Sequence, residues 1–486
     1  MRSRVLLALL AAALVAGGCT GSGSPATPGV LRVGLAEPAT LLPADVRDQP
    51  GRLITGALWT PLADYDAASG KLTERAAEAI TGSADRKQWT VKLRPARFHD
   101  GSPVTAQSYV DTWRAVADQP WAVAPVLTRL LRATSITAPD DATIRIDLDR
   151  PSGQVPVWLS APGLVPLPRS VLGSRDWAAF ARTPIGNGPY RLDGAWRPGG
   201  GGKLVRVTDT PGKAREIDLR VGEPAAQYDA VKAGELDLAA EVPGDRHESM
   251  HHDFADRHLS WPLPEAGYLT FPVADRRFAD PTVRHAFAFG VDRAALEAGP
   301  LRHQVDPAKA LLPPADAPGE RSGTCRPCTF DAAAGKALLG QASFTGPVNV
   351  YSGPRTENWT KPLADGLAAA LGIQTAPKPP PATGTPDGPA TLVVELGTAS
   401  PGELLAALAA AAGYTDDVMK QNLADAEAAA TPAEAGELYR LVENQLLRDL
   451  PVVPLWSAHG HAVWGERVHE VRATPFAGVD LTALTV

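Results

Sequence analysis

Two histidines and a glutamate at 247–251 have a spacing that can hold a metal ion. The run reads His247-Glu-Ser-Met-His251. On a helix these two imidazoles would lie on one face, with the glutamate placed as a base. Against a zinc hydrolase, Arg257 stands where a third ligand of such a motif would fall, and Glu265 is near only along the chain. Neighbouring histidines also make the whole segment histidine-rich. We therefore expect a solvated helix here, without a committed metal site.

No other residues combine into a catalytic set. The chain has no Gly-x-Ser-x-Gly run for a nucleophile elbow and no Ser-x-x-Lys run. The carboxylate pairs at 140–141 and 416–417 lie in turn-like settings, where a solvated surface is the expected outcome. We predict no catalytic residue, no bound metal and no cofactor.

The amino-terminal residues have the pattern of an export signal. Arg2 and Arg4 precede an apolar run at 5–16. That run is shorter than the roughly 20 residues that span a bilayer. It ends in Leu-Val-Ala-Gly-Gly-Cys, and small residues directly before Cys19 resemble a bacterial lipobox. The resemblance implies cleavage after residue 18 and a lipid on the sulfur of Cys19. The alternative is an ordinary signal peptide with an incidental cysteine.

Cys325 and Cys328 form a Cys-Arg-Pro-Cys run. This spacing fits a redox pair, half of a zinc site or a small structural disulfide. No second pair stands elsewhere in the chain. Because thiols of an exported chain meet an oxidising compartment, we expect a disulfide.

Length and charge narrow the function classes. At 486 residues, with 44% hydrophobic and 21% charged residues, the chain has the composition of a soluble globular protein with two or three domains. The formal net charge of −7 leaves no basic footprint for nucleic acid. We therefore expect no nucleic-acid partner.

Alternating strands and helices must position these side chains. Period-two alternation predicts strands at 88–94 and 143–148. Between them, Asp-Gly-Ser-Pro at 100–103 predicts a tight turn. Thr105 is a good N-cap for a helix on which Val110, Trp113 and Val116 recur. Further strands are predicted at 31–35, 348–351, 391–396 and 451–456, and helices at 53–59, 358–371 and 432–450. This alternation indicates an α/β protein.

One run also resembles a family signature. Phe-His-Asp-Gly-Ser-Pro-Val-Thr-Ala at 98–106 is similar to the marker of the oligopeptide- and dipeptide-binding proteins of ABC importers, known as solute-binding family 5. Gly-Asn-Gly-Pro-Tyr at 186–190, Gly-Glu-Leu-Asp-Leu at 234–238, Val-Arg-His-Ala at 283–286 and Pro-Val-Val-Pro-Leu at 451–455 resemble further family motifs in family order. Abundant Ala and Arg suggest a GC-rich, actinobacterial-like source.

The resemblance implies a two-lobed, periplasmic-binding-protein-like α/β fold of type II. A small domain would be inserted in the first lobe, and the lobes would be discontinuous in sequence. The predicted division is a signal peptide at 1–18, a flexible tether at 19–30, lobe I at 31–60, 183–265 and 455–486, the inserted small domain at 61–182, and lobe II at 266–454.

The resemblance also implies where a ligand would bind. Trp59 and Trp456 fall on segments that border the cleft in the family. Peptide-binding members anchor the ligand amine with an aspartate that follows a tryptophan, and here that segment is replaced by Glu-Leu-Gly-Thr-Ala-Ser-Pro at 395–401. Glu395 offers a negative charge in a different register. The predicted ligand-binding residues are Glu37, Thr40, Trp59, Asn187, Glu395, Thr398 and Trp456.

The expected function is solute capture. A monomer, lipid-anchored on the extracytoplasmic face of the cell membrane, would take a short peptide or similar small solute between its lobes. It would then deliver this solute to an ABC permease. The missing aspartate motivates an alternative, a lipoprotein that keeps the fold as a non-transport scaffold in envelope assembly. A cleft filled by its own side chains would favour that scaffold.

Overall fold

The computed structural model describes residues 28–207, 213–316, 325–381 and 386–486. The predicted signal peptide, Cys19 and most of the predicted tether lie outside these residues. Among the described residues, none of the helices combines the length and the apolar composition that crossing a bilayer requires.

The chain alternates strands and helices, which confirms the predicted α/β class. The strands are β1 Val30–Leu35, β2 Ala63–Asp66, β3 Lys71–Glu74, β4 Ala77–Gly82, β5 Gln88–Leu93, β6 Ala96–Arg97, β7 Pro103–Val104, β8 Ala133–Asp140, β9 Thr143–Leu148, β10 Tyr190–Leu192, β11 Gly202–Arg206, β12 Glu216–Val221, β13 Leu238–Ala239, β14 His258–Thr270, β15 Val305–Pro307, β16 Val348–Tyr351, β17 Thr375–Lys378, β18 Ala390–Glu395, β19 Val452–Trp464, β20 Ala473–Thr474 and β21 Gly478–Val479.

The α-helices fall between these strands, and a π-helical segment lies at Val126–Leu131. The α-helices are α1 Gln49–Leu58, α2 Ala106–Ala117, α3 Val155–Trp158, α4 Arg169–Ser174, α5 Trp177–Arg182, α6 Pro224–Lys232, α7 His247–Phe254, α8 Pro281–Gly290, α9 Arg293–Ala298, α10 Ala332–Gln341, α11 Glu357–Leu371, α12 Pro401–Ala411, α13 Asp417–Ala428 and α14 Pro432–Asp449.

A large mixed sheet runs through the whole molecule. Its strand order is β10-β11-β12-β1-β13-β19-β14-β18-β16-β17, and β15 pairs with β19 beside this path. Strand β1 is parallel to β12 and β13, whereas β14 is antiparallel to β18 and β19. The long strands β14 and β19, at 13 residues each, therefore join the two ends of the sheet.

Two hydrophobic cores lie on either side of the middle of β14 and β19. The first holds the buried residues of β1 and α1 together with Trp261 and Ala462. The second holds Ala266 and Trp456 and the buried faces of α8, α11 and α14. We call the parts around these cores the first and second lobe. The predicted boundaries at 265/266 and 454/455 stay a prediction, although the cores change over in the same part of both strands.

A smaller antiparallel sheet has the strand order β4-β5-β9-β8, and the run at 98–106 follows its strand β5 and leads into helix α2. Helix α2 begins with the predicted cap. The Thr105 hydroxyl accepts a hydrogen bond from the Ser108 N–H, and the Ser108 hydroxyl accepts one from the Thr105 N–H. Trp113 on α2 is 1% exposed, and its indole donates to the carbonyl of Leu164. This sheet shares the core of β1 and α1, so it extends the first lobe.

Two predicted bounds differ from the structure by more than one residue. Helix α1 begins at Gln49, before the predicted residue 53, because the Asp48 carboxylate caps it by accepting from the Gly51 N–H and Pro50 stands in its first turn. The strand predicted at 451–456 continues to Trp464 as β19, because its second half pairs with β14 in the first lobe. Local pattern alone does not show that continuation.

Candidate functional site

The space between the two lobes is the candidate binding site. A cavity of about 720 Å³ is lined from the first lobe by the 122–130 region and Trp158 and from the second lobe by residues 394–407. A smaller cavity of about 160 Å³ adjoins α1 and is also reached by residues 396–398. The larger volume is in the range of small-molecule sites in proteins.

Charged side chains cross the cleft in pairs. In each pair an arginine of the first lobe meets a glutamate of the second: Arg52–Glu395 at 2.6 Å, Arg129–Glu403 at 2.8 Å and Arg150–Glu427 at 2.6 Å. Five of these six residues line the larger cavity, and Arg52 lines the smaller one. Burial raises the pKa of both Glu403 and Glu427, against the opposing charge of the facing arginines. The cavity wall therefore offers both signs of charge.

The most buried of the three pairs, Arg52–Glu395, lies beside an irregularity in the pairing of β14. Glu395 ends β18 directly opposite Glu265 of β14, next to the irregular pairing of β14 with β19. The guanidinium of Arg355 lies 3.6 Å from each of these carboxylates. Burial raises the pKa of Glu265, with the charge of Arg355 opposing the shift. Irregular strand pairing beside a functional site commonly changes the direction in which nearby side chains point.

The backbones of the two lobes also touch. The N–H of Gly153 donates to the carbonyl of Glu427 at 2.9 Å. A side-chain carbon at Gly153 would stand 1.8 Å from the carbonyl oxygen of Ala429, so this approach requires glycine. The Thr398 hydroxyl donates across the cleft to the carbonyl of Val157 at 3.2 Å. The described conformation is thus one in which the lobes contact each other.

Three of the residues predicted from sequence line the two cavities. Glu395 and Thr398 line the larger one, and Trp59 and Thr398 line the smaller one. Trp59 is 2% exposed, its indole donates to the carbonyl of Pro166, and its ring meets Phe180 edge-on. Trp59 therefore offers little of its surface to a ligand in this conformation.

The other four predicted residues do not line either cavity. Two of them lie near the carboxyl end of β1. The Glu37 carboxylate accepts from the indole N–H of Trp196 and from the N–H of Gly199, both at 2.8 Å. The Thr40 hydroxyl accepts from the N–H of Leu42 at 3.1 Å. Both side chains organise loops of the first lobe, and a ligand role for them stays a prediction.

Asn187 and Trp456 also have structural partners. The Asn187 side-chain oxygen accepts from the N–H of Thr60 at 3.2 Å, which fixes the return from the small sheet. Trp456 is 5% exposed and packs in the second core, with its ring centroid 6.0 Å from that of Trp359. Sequence reasoning instead missed Arg52, Arg129, Arg150, Glu265, Arg355, Glu403 and Glu427. These are single charges outside any motif, and only the folded chain pairs them.

Cys325 and Cys328 are joined by a disulfide bond with an S–S distance of 1.95 Å. Both cysteines are buried against the second core. The carbonyl of Cys328 accepts from the guanidinium of Arg293 at 2.8 Å, which ties this short loop to α9.

Two lobes joined by paired strands, with a cavity between them lined from both sides, define a two-lobed solute-binding protein. The sequence model described as "Bacterial extracellular solute-binding proteins, family 5 Middle" matches residues 71–429, about three quarters of the chain. The chain belongs to this family, whose members are solute-binding proteins.

Individual relatives are distant. A putative ABC transporter peptide-binding protein of Brucella ovis is 25% identical over 249 residues, 49% of this chain and 46% of the relative. The glutathione-binding protein GsiB of Escherichia coli K12 is 24% identical over 323 residues, 63% of this chain and 59% of the relative. The matches thus span about half the length of these curated relatives.

The solved structures agree on the fold. The unliganded open form of the periplasmic murein tripeptide-binding protein MppA superposes with a TM-score of 0.77. At 18% identity it covers 95% of this chain and 98% of its own. The predicted two-lobed fold is confirmed.

Proposed function

We propose that this protein is the substrate-binding component of an ABC importer. It captures a short peptide or similar small solute between its lobes and delivers it, chemically unchanged, to the permease. In this proposal the chain works as a monomer on the extracytoplasmic face of the membrane, held by a lipid on Cys19. The observation that carries the proposal is the 720 Å³ cavity, lined from both lobes by arginines and glutamates.

The charge pattern of that cavity fits a ligand with an amine and a carboxylate. Arginine binds carboxylates with two parallel hydrogen bonds, and a glutamate can accept from an ammonium group. Glu395 and Arg52 already neutralise each other across the cleft, so a zwitterionic ligand can replace one ion pair with two. The names of the relatives point the same way, since peptides and glutathione carry both kinds of group.

In this proposal, closure of the lobes couples ligand binding to transport. A ligand shifts the balance between open and closed forms only by its preference for one of them. Contacts from both sides of the cavity give that preference for the closed form, which then docks on the permease. The open cavity does not favour the scaffold alternative, which calls for a cleft filled by its own side chains.

Calorimetric titration with matched ligands tests the proposal. We expect a set of tri- to pentapeptides to contain binders. Acetylating the amine or amidating the carboxylate of a peptide that binds should lower its affinity by about tenfold or more, because each charge-assisted hydrogen bond is worth about 1.5–3 kcal/mol.

Two variants locate the binding site. Glu395→Gln should reduce the penalty for acetylation, and Arg52→Ala should reduce the penalty for amidation. Arg114→Ala serves as the control, because its ion pair with Asp111 is at the surface and neither residue lines either cavity. Absence of binding by every peptide in the set contradicts the proposal.

A further inference from the structure

Histidines from four parts of the chain gather on one side of the molecule, away from the two cavities. Ring contacts connect six of the ten histidines of the chain into one cluster: His247, His251, His258, His303, His459 and His461. The predicted helix at this segment is present as α7, with His251 exposed. His247, however, is half-buried against the cluster, so the expectation of a solvated helix is wrong for this residue.

Two elements place three of these rings together. His247 is the first residue of α7. His459 and His461 are alternate residues of β19, and alternate residues of a strand share one face. The ring centroid of His461 lies 4.8 Å from that of His247 and 4.4 Å from that of His459. One potential ligand nitrogen from each of the three rings lies within 4.8 Å of the other two.

One ring nitrogen of this triad has no partner among the described residues. His461 is 3% exposed, and its Nδ1 lies 2.7 Å from the Ser260 hydroxyl oxygen. Its Nε2 is buried and makes no hydrogen bond within the part of the chain described here. Leaving a buried polar atom unsatisfied costs about 1–3 kcal/mol. Such a cost calls for a compensating ligand.

We infer that His247, His459 and His461 bind a divalent first-row transition metal ion, with Zn²⁺ as the best fit. Three neutral imidazoles that leave a fourth position open are a common protein site for zinc. Imidazole also suits copper and nickel, so these ions are expected to compete. Ligand nitrogens around one tetrahedral zinc lie about 3.3 Å apart, so the three rings need to close by only about 1.5 Å.

Neighbouring groups orient the rings for this role. The Oδ2 of Asp306 lies 3.0 Å from the Nδ1 of His459, and Ser260 holds the Nδ1 of His461. Metal-binding histidines almost always have such a partner on the other ring nitrogen. The Nε2 of His459 lies 3.1 Å from the carbonyl oxygen of His303, and this one contact must give way when an ion binds.

The site differs from the one that the His-Glu-x-x-His spacing suggests. That spacing pairs His247 with His251, whereas the structure pairs His247 with two residues of β19. Glu248 is exposed and is not part of the triad. The three ligands line neither cavity of the cleft. The site is therefore a binding site that fastens α7 to β19, and it does not depend on the proposed peptide binding.

Zinc binding to untagged full-length chain, stripped of metal with a chelator, tests the inference. Calorimetry with Zn²⁺ alone should give one ion per chain. His461→Gln and His247→Gln should each weaken the affinity at least about tenfold. His252→Gln is the matched control on the same helix, because its side chain is 94% exposed and outside the triad.

A second measurement separates binding from folding. Zn²⁺ should raise the thermal midpoint of the wild type and of His252→Gln, and should not raise that of His247→Gln. His247 is only half-buried, so this variant tests the site even where His461→Gln unfolds. No stoichiometric binding of Zn²⁺, or binding that His251→Gln abolishes while His461→Gln retains it, overturns the inference.

Discussion

At the scale of single residues, Asp237 shows how one carboxylate joins distant parts of the chain. Its side chain is 3% exposed and takes hydrogen bonds from the guanidinium groups of Arg32, at 2.8 and 3.0 Å, and Arg467, at 2.7 and 2.8 Å. Burial disfavours the charged form, but the hydrogen bonds from Arg467 and Arg32 outweigh it and lower the pKa of Asp237 to about 2. The group thus ties β1 to the residues that follow β19.

Replacing this carboxylate should destabilise the first lobe. Asp237→Asn leaves two guanidinium groups without their counter-charge, and breaking a buried ion pair in this way costs about 3–5 kcal/mol. Urea unfolding at pH 7 measures the loss. Asp193→Asn is the control, because its pair with Arg191 is about half exposed and contributes about 0–1 kcal/mol.

The pH dependence of that loss follows from the direction of the shift. A depressed pKa in the folded state adds stability above the unfolded pKa of 3.8, and this contribution disappears as the pH falls through about 2. The difference between wild type and Asp237→Asn should therefore shrink from pH 5 towards pH 2. A difference that stays constant over this range contradicts the assignment.

At the scale of elements, β14 and β19 carry a reciprocal arrangement of tryptophan and glycine. In their register, Trp261 of β14 faces Gly460 of β19, and Gly267 of β14 faces Trp456 of β19. A side-chain carbon at Gly267 would stand 2.1 Å from the indole of Trp456, and one at Gly460 would stand 2.5 Å from the indole of Trp261. Each indole packs against the glycine of the opposite strand, where the absence of a side chain leaves room for it.

Adding a methyl group at either glycine should weaken this strand pair. We expect Gly267→Ala and Gly460→Ala to lower the free energy of unfolding by about 1–3 kcal/mol each, because the indole must move. Gly366→Ala is the control, since Gly366 lies on the exposed face of α11 with no atom near the added carbon. This variant should raise the free energy of unfolding by about 0.5–1 kcal/mol. Equal stability of all three variants in urea contradicts the packing argument.

The sequence predicts those elements whose interactions are local. The cap of α2 joins Thr105 to Ser108, and the turn before it joins Asp100 to Ser102. In both cases the interacting residues are two or three positions apart, so a short stretch of sequence includes both partners. The Gly267–Trp456 contact joins residues far apart in the chain. This contact depends on the register in which β14 pairs with β19, and the local sequence of either strand does not predict that register.

The candidate site shows the same limit. Glu395 is predicted from its place beside a family segment, but its partner Arg52 lies 343 residues away and belongs to no motif. The histidine spacing at 247–251 pairs His247 with His251, whereas β19 also brings His459 and His461 to His247 from the far end of the chain. Charges and imidazoles that meet only through tertiary structure carry no signature in sequence.

At the scale of the whole molecule, the contacts between the lobes include the close backbone approach at Gly153, the three ion pairs and the hydrogen bond from Thr398 to Val157. The ion pairs have at least one partly exposed partner, so each is worth about 0.2–1 kcal/mol. The approach of Gly153 to Ala429 is tighter, and only glycine allows it. Because each lobe has its own core, disturbing this approach should change the spacing of the lobes more than their folding.

Gly153→Ala should therefore favour the open form. The added carbon meets the carbonyl of Ala429, and such overpacking costs about 1–3 kcal/mol, so the ratio of closed to open molecules should fall about 5- to 150-fold. Small-angle X-ray scattering should show a larger radius of gyration, with thermal unfolding nearly unchanged. The affinity for any peptide that binds between the lobes should fall in proportion to the fraction of closed molecules, because only that fraction holds the ligand from both sides.

Gly173→Ala is the matched control, since nothing lies near its added carbon in α4. This variant should scatter like the wild type and bind peptide with wild-type affinity. A saturating peptide should also return Gly153→Ala part of the way to the compact form, because the ligand adds its own preference for closure. An unchanged radius of gyration in Gly153→Ala, with and without peptide, would show that residues 153 and 429 do not control the closing of the cleft.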